Sequence, residues 1–111
     1  GFTTLVINSL GPFLVAPMKR IGMYRDAIQE EIQTKMVVFR PHPLLRQTIK
    51  ALRPDVENEY NRFLDWVKQI GGIVDESEDL EGALACADYL ISDPSSVLEM
   101  WASAGRKFRV L

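Results

Sequence analysis

The only histidine, His42, stands between two prolines in Arg40-Pro41-His42-Pro43, directly behind an apolar run. Each proline fixes its own φ, so the loop that carries the imidazole is restricted. An imidazole held in this way can donate to a phosphate oxygen, and it changes charge near neutral pH. The competing reading is a turn histidine that merely stops a strand. A second constellation, Asp93-Pro94-Ser95-Ser96, follows another apolar run and opens a stretch of helical periodicity. A helix N-terminus carries about half a positive charge, and with two hydroxyls beside it a pyrophosphate can be held without Lys or Arg. Simple N-capping by Asp93, or by a serine if the helix begins one residue later, accounts for the same residues. Glu99 lies one turn beyond Ser95 and Ser96 and so faces roughly their side of the helix. Its carboxylate can accept from ribose hydroxyls, or it can simply be solvated.

Other residues read more blandly. Asp75, Glu76, Glu78, Asp79 and Glu81 crowd a helix start, where the macrodipole favours acids. Cys86, between Ala85 and Ala87, reads as an inert core filler, because no second Cys or His activates it. Trp66 and Trp101 have core-like helical spacing, and Lys19 and Arg20 divide between reaching a phosphate and facing solvent. No Walker loop or GxGxxG is present.

The whole chain sets the limits on this chemistry. Its 111 residues, 47% hydrophobic and 25% charged, describe one ordinary globular domain spanning 1–111. Thirteen Lys+Arg against fifteen Asp+Glu give a net charge of -2, which disfavours nucleic acid as a partner. One Cys and one His supply no zinc set, so neither a metal nor a cofactor is expected. The apolar runs are too short to span a bilayer, which predicts no transmembrane segment and a cytoplasmic protein. The chain starts at Gly1 without Met and stops in what reads as a strand, so it is expected to be a piece of a longer protein.

The elements that must position these residues alternate in type. Apolar runs at 3–8, 35–40, 72–75, 89–92 and 107–111 predict strands, the second and fourth apolar enough to be covered on both faces. Helical spacing is present over 19–33, in a shorter stretch carrying Leu44, Leu45, Ile49 and Leu52 before Pro54, over 56–70 and over 79–87, the last capped by Ser77 or Asp75. The final helix is expected to start at Pro94 or Ser95 and run to 104, with Gly105 ending it. An alternative makes 13–16 the opening strand. Such alternation forces right-handed crossovers and a mainly parallel sheet of about five strands, a Rossmann-like three-layer α/β sandwich. In the usual order 3-2-1-4-5 the first strand is central and ligands bind beyond the strand ends beside it. Those ends carry Ser9-Leu10-Gly11-Pro12, Pro41-His42-Pro43 and Asp93-Pro94-Ser95-Ser96.

The segment from Ser95 to Phe108, with its Ser-rich turn, Leu98-Glu99, short helix and Gly105, resembles the sugar-nucleotide-binding signature of two-domain GT-B glycosyltransferases. More narrowly, Phe39-Arg40-Pro41-His42-Pro43 together with Tyr89-Leu90-Ile91-Ser92-Asp93-Pro94-Ser95-Ser96 resembles the C-terminal domain of CDP-glycerol glycerophosphotransferases of the teichoic-acid type. That resemblance implies a GT-B C-terminal half that binds a nucleotide-activated glycerol or sugar donor for cell-envelope polymer synthesis. Arg40, His42, Asp93, Ser95, Ser96 and Glu99 would form the substrate-binding set, and His42 would be its catalytic member. His42 would meet the diphosphate, Ser95 and Ser96 its phosphates, and Glu99 the ribose, with Asp93 fixing the turn. The acceptor half and its general base would lie in an N-terminal domain absent from this chain, and the full-length protein would work at the inner face of the plasma membrane. UDP-sugar 2-epimerases of the same architecture share the His-Pro strand end, and a non-catalytic α/β interaction module is the competing class.

Overall fold

Five of the apolar runs lie side by side as parallel strands. In a computed structural model, which describes residues 2–111, these are β1 (Thr3–Ile7), β2 (Met36–Arg40), β3 (Ile73–Val74), β4 (Tyr89–Ser92) and β5 (Phe108–Val110). They form one sheet in the order β3-β2-β1-β4-β5, every neighbouring pair parallel. A parallel step needs a crossover, and helices supply each one. From β1 to β2 run α1 (Leu10–Val15) and α2 (Pro17–Glu31). From β2 to β3 run α3 (Leu45–Leu52) and α4 (Glu57–Gln69), while α5 (Leu80–Cys86) and α6 (Ser96–Ser103) lead into β4 and β5. The result is the expected Rossmann-like α/β sandwich, with β1 central and the topological switch between β1 and β4. None of the described helices is long and apolar enough to cross a membrane.

Residues 13–16 do not form a strand. Phe13 is fully buried on α1, whose third position is Pro12, where a missing N–H costs nothing because first-turn amides have no helical acceptor. Pro17 then forces Ala16 out of the helical region, to φ -137° and ψ 63°, and itself begins α2. That pair of prolines makes two helices where periodicity alone predicts one. At the other end, α6 starts at Ser96 and not at Pro94, which lies outside the helix before its Ser95 cap. The cap of α5 is Asp79, whose carboxylate accepts from the Gly82 amide at 2.9 Å, in place of Ser77 or Asp75. Gly71 and Gly105 follow α4 and α6 with φ of +96° and +74°, the left-handed conformation that lets a helix end and the chain turn into the next strand.

The two faces of the sheet are covered unequally. Val6, Phe39 and Ile91 meet α1 to α4 through an aromatic chain running Phe13, Tyr24, Phe39 and Phe63, with Tyr60 against Phe13; neighbouring rings are 5.2–6.0 Å apart. Each such ring contributes about 1.5–3 kcal/mol by burial. On the other face Leu5, Ile7 and Leu90 pack with Ala87, Leu98 and Trp101, and with Ala83, Leu84 and Val97, which are themselves only partly buried. Trp101 donates its indole N–H to Lys107 O at 2.8 Å and so ties α6 to β5. This thinner cover corrects two expectations. Met36 of β2 is exposed and Val38 half-buried while Arg40 is buried, so the second face of β2 is covered only in part, and Cys86 is exposed, α5 having no fully buried residue.

Register places the site. Ile7 pairs with Arg40 on one side and with Ser92 on the other, so β1, β2 and β4 end level. Asn8, Pro41 and Asp93 are therefore the first residues beyond a common edge.

Candidate functional site

Beyond that edge lies a cavity of about 520 Å³. Asn8, Ser9 and Leu10 line it from the end of β1, Arg40 to Pro43 from β2, Glu78 and Leu80 from the start of α5, and Ser95 to Val97 from α6. Four of the six residues singled out in the sequence, Arg40, His42, Ser95 and Ser96, thus share one cavity across the switch point. Asp93 and Glu99 are not in its wall.

His42 is half-buried and anchored through its backbone. Its amide donates to Asn8 Oδ1 at 3.2 Å, its carbonyl accepts from the Leu45 amide at 2.9 Å, and its Nδ1 accepts from the Leu44 amide at 3.1 Å. Asn8 is buried and donates onward to Ser9 O, so one side chain joins the ends of β1 and β2. Motif spacing does not point to Asn8. The signal for it is a polar residue ending a buried strand, which needs a partner once water is excluded.

Arg40 is committed elsewhere. It is 4% exposed, pairs with Asp75 at 3.2 Å and reaches Ser77 Oγ at 3.4 Å. Burial pushes the Asp75 carboxyl up, but donors from Ser77 and the Arg40 charge outweigh it and hold the group below the ordinary carboxylate range. Arg40 therefore joins β2 to the segment after β3, and it lines the cavity as a residue whose cation is already paired.

Asp93 is fully buried and accepts the Ser9 amide with both oxygens, at 2.8 and 3.0 Å, with Arg20 3.6 Å away. Asp93 thus ties the residue after β1 to the turn after β4. Arg20 also donates to Leu111 O, so it is drawn under the strand edge, away from the cavity, and Lys19 is exposed. Beside this pair the Tyr24 hydroxyl donates to Ile7 O at 2.8 Å, and burial, reinforced by the Asp93 charge, pushes its ionisation well above the usual tyrosine range.

Ser95 caps α6, its Oγ accepting from the Leu98 amide at 3.1 Å, with Ser92 Oγ 3.4 Å away. Ser96 is the first helical residue and is exposed. The amides of Ser96 and Val97 are the first-turn donors that helix geometry leaves open. No protein-family profile, curated protein or solved structure matches the chain.

The open donors of the cavity are the His42 ring, the Ser96 hydroxyl and the first amides of α6. Glu78, from the acidic run at the start of α5, adds an acceptor to the same lining. Glu99 is exposed, and its amide donates to Ser95 O at 3.1 Å. The helical turn that separates it from Ser95 carries it past the cavity rim.

Proposed function

We propose that the cavity binds the diphosphate of a nucleotide-activated glycerol or sugar, and that the chain is the donor-binding half of a GT-B-like transferase in cell-envelope polymer synthesis. The observation that carries this reading is the meeting of His42 with Ser95 and Ser96 in one cavity at the switch point, where α/β folds of this order take their ligands. The two motifs on which the resemblance to CDP-glycerol glycerophosphotransferases rests are those that supply these walls. Negative charge building on the leaving nucleotide would be met by the His42 ring and the open amides of α6, an electrostatic role. The acceptor and its general base would come from a separate N-terminal domain, so this chain binds donor without turning it over.

Calorimetric titration with CDP, UDP, CDP-glycerol and UDP-N-acetylglucosamine tests the reading. Saturable binding that weakens in S95A/S96A but not in the control Lys68→Ala is expected, and the preferred base decides between glycerophosphotransferase and 2-epimerase-like versions. Equal affinities for the double variant and the control would sink it. A second reading, a non-catalytic interaction module, draws on the commitment of Arg40 and Asp93 to internal partners. It predicts no nucleotide affinity at all.

A further inference from the structure

We propose that the turn after β2 fixes neutral His42 as its Nε2–H tautomer, so that the ring meets the cavity as a hydrogen-bond donor and selects an oxygen acceptor on the ligand. The choice of ligand rests on the donor-binding reading above; the tautomer does not.

Neutral imidazole has one N–H and one lone pair. In His42 the lone pair of Nδ1 is taken by the Leu44 amide at 3.1 Å, so the proton belongs on Nε2. A side-chain atom of residue i accepting from the amide of i+2 is the arrangement of an Asx turn, with imidazole in the place of Asn or Asp. The main chain on either side is held as well. The His42 amide is bonded to Asn8 Oδ1, its carbonyl accepts from Leu45, and Pro41 and Pro43 have fixed φ. Among the described residues no protein group accepts from Nε2.

The rest of the wall gives this N–H its weight. Arg40 is paired with Asp75, the Asn8 amide donates to Ser9 O, and the Ser95 hydroxyl accepts within its own cap. His42 is thus the ring donor facing Ser96 across the cavity, suited to a phosphate or carbonyl oxygen. A neutral Nε2–H has no lone pair with which to take a proton from an attacking hydroxyl. His42 then acts by hydrogen bonding and not as a general base while the Leu44 bond lasts. The Leu44 amide is a positioning group.

Long-range ¹H–¹⁵N NMR of the full chain at about pH 8.5, where histidine is neutral, reads the tautomer without any ligand. An imine-type Nδ1 and a protonated, pyrrole-type Nε2 are expected; the reverse pattern, or two averaged nitrogens, overturns the proposal. His42→Asn supplies the second readout, since asparagine can keep the turn through its own carbonyl oxygen but has no N–H where Nε2 was. It should keep the wild-type urea midpoint and lose about tenfold or more in calorimetric affinity for CDP. Wild-type affinity in that variant overturns the donor role. If the wild type itself binds neither CDP nor UDP, the donor-binding reading fails, and the ¹⁵N spectrum alone decides the tautomer.

Discussion

Arg40 and His42 are two residues apart, as are Asp93 and Ser95, yet the members of each pair do different work. Arg40 and Asp93 are buried at the strand ends and bonded inward, to Asp75 and to the Ser9 amide. His42 and the serines sit further out on the cavity wall, which Arg40 shares only as a cation already paired. The chain leaves the sheet after Arg40 and after Ser92, so each motif carries one residue bonded back into the strand edge and another, two positions on, that lines the cavity. A motif that reads as a unit in sequence is divided by depth in the fold.

The inner layer should fail by unfolding. Asp93→Ala leaves the Ser9 amide and the Arg20 guanidinium without their carboxylate and is expected to lower stability by about 3 kcal/mol. Urea unfolding measures this, and an unchanged midpoint would erase the distinction between the layers. Arg40→Met should cost about 1–3 kcal/mol, because Asp75 stays partly buried without its cation. Nucleotide affinity of the protein that remains folded should fall less than in the histidine variants.

Acid should reach the same layer. Asp75 has a lowered pKa when folded, so its contribution is present above the unfolded carboxylate value, near pH 4, and is lost as pH falls through the folded value. The stability difference between wild type and Asp75→Asn should therefore shrink in acid, as followed by urea titration from about pH 5 to about pH 2. At the alkaline end Tyr24 and Tyr60 have raised pKa values, chiefly from burial. The stability they maintain is complete below about pH 10 and declines as pH rises toward the folded values, because the unfolded chain ionises first.

The smallest effects separate the two serines. Ser95→Ala loses the α6 cap and about 1 kcal/mol of stability, whereas Ser96→Ala should leave the midpoint unchanged and weaken nucleotide binding severalfold. Equal effects of the two variants on the midpoint would blur the comparison.

Much of the architecture is legible in the amino-acid sequence. The parallel sheet follows from alternating periodicities and the crossover rule, and the central β1 and the meeting of His42 with Ser95 and Ser96 follow once the usual doubly wound strand order is assumed. What was not legible depends on packing or on single caps. The α1 helix hides in 10–15 because its six residues are too few to show a period, and Phe13 alone marks its buried side. Cys86, flanked by alanines, looks like core, but whether a short helix buries its last residue depends on how much of the sheet face it covers. Asn8 and the inward pairing of Arg40 arise from register, which aligns Ile7 with Arg40 and Ser92 and which no local motif contains.

The most direct test of the central claim is a ¹H–¹⁵N NMR titration of the chain with CDP and UDP, following the backbone amides of Asn8, His42, Ser96 and Val97. Saturable shifts confined to those amides and their neighbours, weakened in His42→Asn, are predicted. Amides unmoved at millimolar nucleotide, or shifts centred elsewhere on the sheet, would contradict a diphosphate site at the switch point.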